Sequence, residues 1–511
     1  MTTTLVKPPV PGEREAGRRA ASVLVLASFE ARQLALQIPV VLFGLVYLVY
    51  VGYQLLGRDE GMDDYPVLHD VDRATQGGPM LLCVALLACV HRAAVLNRRR
   101  GLEEQLSVVV VSPARRTLAH VLSVVPFAVG VALLVGVQFG RAALRPGAAG
   151  HGSLAELAVA PLTVLLCGAV GALLARLLPY AAAPVLFVIA LVAVLTLAGG
   201  VTGGVHGVQW LWPAVEETGA TPVPGELLGR PAGWHALYLA GLTVLAAGVA
   251  VMVAGGRTRL LQGVTAVALA ATVLGVNGQT PGPSAAFQAT RKAEADHPAK
   301  YQTCVARGMS RYCAYPDWAG WTADWAGVER RVRAEAGGAA ATARLTVRQH
   351  IQEITDLTTD GAMTTGSARS TVTVGTQWGG NRVPEFAVGV ARVLVAHDER
   401  ATLDMCDARG VTTMWLALAT DPTPEATFRR LRIDDSLTGP AAVLTPDGGS
   451  MGVSAQTTEV VRELFRAPHD TIAARVKAHW AELTSSRTTA AEAARLLGVR
   501  VPQGPEDCGN G

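Results

Sequence analysis

Apolar residues gather in seven stretches of the first 290 residues that contain no Asp, Glu, Lys or Arg. Each stretch is 18 or more residues long, and a helix needs about 20 apolar residues to cross a bilayer. The pattern therefore predicts a polytopic bundle of about seven membrane-spanning helices. The stretches are residues 33–57, 74–91, 117–140, 157–175, 177–215, 231–256 and 260–290.

The fifth stretch, with 39 residues, is too long for one crossing. We predict a helix at about 182–199, ended by Gly199 and Gly200. The remainder, VTGGVHGVQWLWPAV, is expected either to dip into the membrane or to lie at its interface. Irregular backbone is tolerated at that depth only where other protein covers it.

The chain just before the first stretch has a mixed character. Residues 20–38 combine apolar side chains with Glu30 and Arg32, which predicts an amphipathic helix on the cytoplasmic surface of the membrane. The alternative is a plain N-terminal extension of the first span.

Charge divides the chain into two halves of different composition. Residues 1–277 hold 34 charged side chains, whereas residues 278–511 hold 51. We therefore distinguish an N-terminal segment, 1–32, a membrane domain, 33–277, and a C-terminal domain, 278–511. The net charge of +3 is too small to indicate nucleic-acid binding.

The distribution of Lys and Arg predicts the orientation, because cytoplasmic segments are enriched in them. With a cytoplasmic N-terminus, the inside segments carry 14 Lys or Arg and the outside segments carry five. Seven crossings then place the C-terminal domain outside the cell. The predicted location is a bacterial plasma membrane, with residues 58–73, 141–156 and 216–230 as the outside loops.

Four cysteines lie in the C-terminal domain, an even number in a compartment that this orientation makes oxidising. Cys304 and Cys313 are nine residues apart and are favoured as one disulfide, which leaves Cys406 with Cys508. Four cysteines allow three pairings, and four free thiols are a further alternative.

The pattern of the C-terminal domain predicts a mostly helical fold with minor β structure. Strand-like alternation occurs at 343–349 and 370–376. Trp318, Trp321 and Trp325 share one helical face, which indicates either a core stripe or an aromatic platform for a ligand or a membrane. Helices are predicted at 285–296, 384–396, 402–418, 423–432, 456–466, 470–484 and 488–497.

Three segments carry a family resemblance. They are ASFEARQLALQIPVVLFGL, the loop NRRRGLEEQLSVVVVSPARRTLAHVLS and the segment WLWPAVEETGATPVPGELLGRPAGWHALYLAGL. Residues from Ala27 to about Val276 resemble the permease subunit of an exporter-class ABC transporter, particularly actinobacterial versions. The chain departs from common members, which have six spans and end in the cytoplasm, and its layout resembles more closely that of members fused to outer domains, including aminopeptidase-like ones.

The resemblance implies a role for the cytoplasmic loop 92–116. In similar permeases this loop is the coupling helix that docks on a separate ATPase subunit. Carried onto this chain, the coupling residues are Leu102, Glu103, Glu104, Leu106, Arg115 and Arg116. The alternative is a basic anchor that contacts only lipid headgroups.

Motifs for chemistry within the chain are lacking. The sequence has no G-x-x-x-x-G-K-[ST] phosphate loop and no H-E-x-x-H zinc motif. We therefore expect no catalytic residues, no metal and no cofactor in this chain, with ATP supplied through the partner subunit. Two permeases are expected to pair as a homodimer or heterodimer within the lipid bilayer. The alternative function is a membrane-anchored extracytoplasmic sensor, assembly factor or peptidase-like enzyme.

Overall fold

The computed structural model is largely helical, with two small β-sheets in its C-terminal part. It describes residues 11–57, 61–99, 112–201, 209–215, 223–281, 284–351, 369–399, 404–447 and 449–503. Ten α-helices occupy the described residues up to position 281. They are α1 (Pro11–Ala35), α2 (Ile38–Leu56), α3 (Leu68–Ala74), α4 (Met80–Arg99), α5 (Pro113–Leu122), α6 (Val125–Ala143), α7 (Leu154–Leu177), α8 (Ala183–Val201), α9 (Ala232–Val253) and α10 (Arg259–Gln279).

Each of the seven charge-free stretches overlaps at least one of these helices, and residues 117–140 overlap both α5 and α6, but the helices are not equally long. The apolar parts of α4 and α8, Met80–Leu96 and Ala183–Leu197, are shorter than the rest. Five helical segments are long and apolar enough to cross a membrane, which indicates a membrane protein, whereas the count of seven crossings stays a prediction. The five are Ile38–Leu56, Pro113–Ala143, Leu154–Leu177, Ala232–Val253 and Arg259–Gln279.

Helix α1 is separate from the first apolar helix, because α1 ends at Ala35 and α2 begins at Ile38. The helix before α2 is therefore distinct from it, whereas its location on the cytoplasmic surface stays a prediction. Helix α1 packs on α5 through buried Val23, Ala27 and Ala119. The N-terminal helix and the helix after residues 100–111 thus form one packed unit.

Helix α7 lies at the centre of the membrane domain and packs against α4, α6 and α9. Small residues allow this close approach, as is common between membrane helices. A side chain at Gly171 would collide with the carbonyl of Leu87 in α4, and one at Gly168 would collide with Val124. Larger residues at either position would push the helices apart.

Part of the irregular segment after α8 is described, and it is covered by protein. Trp210 is buried, and the carbonyl of Pro213 accepts a hydrogen bond from the Thr163 hydroxyl of α7 at 3.3 Å. The Tyr238 hydroxyl of α9 donates to the carbonyl of Leu211 at 3.4 Å. Other parts of the protein therefore cover residues 209–215, as irregular backbone at membrane depth requires.

The C-terminal domain contains a four-stranded sheet and a separate hairpin. Strand β2 pairs antiparallel with β1 and parallel with β3, and β3 pairs parallel with β4, so the order is β1-β2-β3-β4. The hairpin is β5-β6. The strands are β1 (Thr303–Arg307), β2 (Ser310–Ala314), β3 (Thr346–Gln349), β4 (Thr371–Val374), β5 (Ala441–Leu444) and β6 (Ser450–Val453).

Nine helices complete the described part of this domain. Two predicted helices differ from the structure. The one at 402–418 begins only at residue 408, after Asp407 caps it, and the one at 470–484 is divided at His479. A capping box of Thr489 and Glu492 begins the last helix. The helices are α11 (Ala285–Asp296), α12 (Thr322–Glu335), α13 (Arg382–Ala396), α14 (Ala408–Leu418), α15 (Pro424–Leu431), α16 (Ala455–Arg466), α17 (His469–Ala478), α18 (Trp480–Leu483) and α19 (Ala490–Leu497).

The predicted tryptophan stripe lies in the core. Trp318 and Trp325 are fully buried, and Trp321 is 2% exposed. The core-stripe interpretation is therefore confirmed and an exposed aromatic platform is excluded. The same hydrophobic cluster includes Val67 and Ala149 of the membrane domain, so the stripe also joins the two domains.

Candidate functional site: the junction of the two domains

Three segments of the membrane domain meet the C-terminal domain. We call them loop A (residues 61–79), loop B (residues 144–153) and loop C (residues 223–231). They correspond to the three loops that the sequence placed outside. Loop A lies between α2 and α4, loop B joins α6 to α7, and loop C leads into α9. Together with residues 315–321 and 378–380 they form the junction.

Aromatic rings form the centre of the junction. Tyr65 of loop A packs edge-on against Trp321 and Trp378, with ring centroids 5.9 and 6.4 Å apart. His69 packs against Trp318 at 6.1 Å. Edge-to-face contacts of this kind are worth about 0.5–1.5 kcal/mol each beyond the area that they bury. Loop A therefore inserts its rings into the core of the C-terminal domain.

Hydrogen bonds from residues 315–321 reach loops B and C. The indole nitrogen of Trp321 donates to the carbonyl of Gly147 at 2.7 Å. The main-chain carbonyl of Asp317 accepts from the amide of Gly150 at 3.1 Å. Its carboxylate oxygen Oδ2 accepts from the amide of Gly225 at 2.9 Å. Asp317 therefore contacts two loops of the membrane domain at once.

A buried ion pair links loop A to α7. The Arg73 guanidinium donates to Oε1 of Glu156 at 2.8 Å, and both side chains are at least nine-tenths buried. Gln76 donates to the other carboxylate oxygen of Glu156. The guanidinium also lies 5.0 Å from the ring centroid of Trp210. Removing one partner of such a pair leaves an uncompensated buried charge, which costs about 3–5 kcal/mol.

A second set of charges links loop C to loop A. The Arg230 guanidinium lies 3.3 Å from Oδ1 of Asp70 and 3.9 Å from Oδ1 of Asp72. Oδ2 of Asp72 also accepts from the amide of Ser153 in loop B at 2.7 Å. Burial nevertheless raises the pKa of Asp72 to about 6, with a smaller contribution from nearby Glu156.

His69 lies at the point where all three loops approach each other. The backbone of Val223 in loop C lies close enough to its ring to affect its pKa, and a side chain at Gly150 would press on Nδ1. Burial is the main cause that lowers the pKa of His69. A neutral imidazole at neutral pH follows, which suits a ring packed against Trp318.

Sequence reasoning missed this site. Arg73 and Glu156 are 83 residues apart, and Asp317 is 92 residues from Gly225, so no local pattern connects them. One signal was present. Glu156 comes directly before an apolar stretch, where an unpaired carboxylate would be costly.

The predicted coupling residues are described only in part. Leu102, Glu103, Glu104 and Leu106 lie outside the described residues. Arg115 and Arg116 lie in the first turn of α5, the helix that packs on α1. In the last turn of α5, Nδ1 of His120 is 3.6 Å from the Glu30 carboxylate of α1.

The predicted disulfide between Cys304 and Cys313 is present, and it joins directly paired residues of β1 and β2. Cys406 is also disulfide-bonded, whereas Cys508 lies outside the described residues. The hairpin that carries the first disulfide was not predicted. Its turn depends on Gly308, which has a positive φ of 62°.

Other chemistry is sparse in the part of the chain that the structure describes. It contains no group of three or more His, Cys, Asp or Glu side chains placed to hold a metal ion. An open groove of about 660 Å³ lies beside the β1-β2 turn, lined by Met309, Arg330 and Lys477 among others. The residues named for this groove do not pair a nucleophile with a base. We therefore take the junction, where the C-terminal domain contacts the membrane domain, as the candidate functional site.

Comparisons with protein-family models, with curated proteins and with solved structures find no match to this chain.

Proposed function

We propose that the chain is the membrane subunit of an ABC-type transporter, an exporter powered by a separate ATPase subunit. The C-terminal domain would be an extracytoplasmic accessory domain. ATP would bind to the partner, and this chain would pair with a second permease. The proposal rests on the resemblance of residues 27–276 together with the architecture of the bundle.

The packing of α1 on α5 is the observation that supports this proposal best. A transporter must convert motion of its ATPase into motion of its helices, which requires a stiff element on the cytoplasmic side. Helix α5 begins within the last residues of the predicted coupling loop, is supported by α1 and is followed by α6 after a break at Ser123 and Val124. A push on the loop would thus reach α6.

The position of the C-terminal domain supports the proposed orientation. It docks on loops A, B and C, all of which the sequence assigns to the outside, and α10 leads directly into it. The predicted coupling loop belongs to the opposite set of connections. The chain would therefore have its ATPase contact inside the cell and its accessory domain outside.

A sensor or assembly factor is the second candidate, and the buried junction favours it equally well. A ligand bound by the C-terminal domain could act on the helices through Arg73 and Glu156. Stable association with an ATPase separates the two functions, because a sensor of this kind requires none.

The test is purification of the tagged chain from membranes of its native host, followed by mass spectrometry of the proteins that remain bound. We expect an ATPase with a phosphate-binding loop at a stoichiometric level. The double variant Glu103→Arg, Glu104→Arg should lose it, because like charges placed across an interface cost several kcal/mol.

Arg98→Ala is the matched control, because its expected partner is lipid phosphate. Exposed substitutions usually change stability by less than about 0.5 kcal/mol, so both variants should reach the membrane at normal levels. If no ATPase is retained by the wild-type protein, the transporter proposal is wrong. If the double variant retains it fully, the loop is a lipid anchor.

A further inference from the structure

Residues 315–321 bridge two loops that lead into neighbouring helices of the bundle. Loop B enters α7 and loop C enters α9, and these two helices pack against each other. Gly150 lies four residues before α7, and Gly225 lies seven residues before α9. Asp317 accepts a hydrogen bond from the amide of each glycine.

We propose that the C-terminal domain is an external clamp that fixes the starting ends of α7 and α9 relative to each other, with Asp317 as its positioning residue. The meaning of the clamp for transport rests on the proposed function, whereas the clamp itself does not.

The local geometry is built for this contact. Gly150 has a positive φ of 73°, a conformation that glycine adopts without strain. A Cβ atom there would lie only 2.7 Å from Nδ1 of His69. The glycine thus lets the loop backbone approach both His69 and Asp317, and its amide is presented to the C-terminal domain.

The two bonds of Asp317 differ in a way that makes the clamp testable. Gly225 is held by the carboxylate, whereas Gly150 is held by the main-chain carbonyl of the same residue. Replacing the side chain therefore removes only the bond to loop C directly. Loop B is released only if the segment undocks as a unit.

Hydrogen exchange measured by mass spectrometry on the full-length protein in detergent reads both loops. For Asp317→Ala we expect exchange at least about tenfold faster in residues 223–231, since hydrogen bonds to charged groups are the stronger class. We expect a comparable rise in residues 144–153 and in the first turns of α7 and α9. Asp296→Ala, which removes an exposed carboxylate 3.9 Å from Lys292, should change none of these regions.

If exchange rises only in residues 223–231, Asp317 forms a local hydrogen bond to loop C and the clamp proposal is wrong. The proposal is also wrong if exchange rises in neither loop. Asp317→Asn serves if the alanine variant is not inserted, because the amide keeps an acceptor oxygen and loses the charge. It should raise exchange in both loops by about threefold. This rise is smaller than for the alanine variant because a neutral acceptor still forms a hydrogen bond, although a weaker one than a carboxylate. No ATPase enters this measurement, so its failure is distinct from failure of the transporter proposal.

Discussion

The carboxylate of Glu399 is buried beside strand β4 and accepts hydrogen bonds from it. The amide and the hydroxyl of Thr373 both donate to it, at 2.6 and 2.7 Å. Burial outweighs these bonds and raises the pKa of Glu399 to about 7, with a further contribution from Asp447. The native domain therefore binds a proton here more tightly than the unfolded chain.

This raised pKa predicts a pH dependence of stability. Because the native state binds more protons between about pH 4.5 and 7, the free energy of unfolding falls as the pH rises through that range. Glu399→Gln cannot titrate, so its profile should be flatter, and at pH 8 it should exceed wild type by on the order of 2–3 kcal/mol. Thermal unfolding at pH 5 and pH 8 measures the difference.

The matched control is Glu482→Gln, which changes a side chain that is 54% exposed. Its profile should follow that of wild type. If the stability of wild type and of Glu399→Gln depends equally on pH, the pKa of this carboxyl is not raised in the folded protein. Such a result would contradict the burial argument.

Single residues show where sequence reasoning stops. The tryptophan stripe was predictable, because its spacing places three large apolar side chains on one face. Asp317 was not, because nothing near it in the chain distinguishes it from a surface aspartate. Its role comes from two glycine amides that the fold brings to it from a distance.

At the scale of elements, the apolar stretches predicted the helices well, since each stretch overlaps at least one helix among the described residues. The predicted helix boundaries were wrong where a capping residue determines the start of the helix, as Asp407 does for α14. The β1-β2 and β5-β6 hairpins were missed, although β3 and β4 are equally short and coincide with the predicted alternation. The difference is that β1 and β5 show no regular alternation of buried and exposed side chains, and pairing across the turn stabilises them instead.

The ion pair between α3 and α7 yields a prediction at this scale. Arg73→Met or Glu156→Leu alone should destabilise the protein by about 3–5 kcal/mol, because each leaves a buried charge without its partner. The double variant should recover much of that loss, since replacing both members by apolar residues is often neutral. The rates of thermal unfolding of the four proteins, measured in detergent at a fixed temperature, test this prediction.

The pair Arg145 and Asp64 provides the control for this cycle. It is an ion pair of 2.6 Å whose carboxylate is 61% exposed, and exposed pairs contribute little, about 0–1 kcal/mol. Strictly additive losses at Arg73 and Glu156 would show that the two residues do not act together.

At the scale of the whole molecule, two domains of different composition share one junction. The sequence predicted the domain boundary from charge alone, and the structure places the C-terminal domain against loops A, B and C. The docking itself was not predictable. It depends on Tyr65 and on residues 315–321, which are joined only in the folded chain.

We propose that the C-terminal domain lies outside the cell and that the predicted coupling loop lies inside. A reporter fused after Gly511 tests it most directly, with the same reporter inserted in the loop at residue 105 as the internal reference. We predict that alkaline phosphatase is active at the C-terminus and inactive in the loop. Activity in the loop with none at the C-terminus would invert the orientation, and it would contradict the account of the ATPase contact and of the disulfides together.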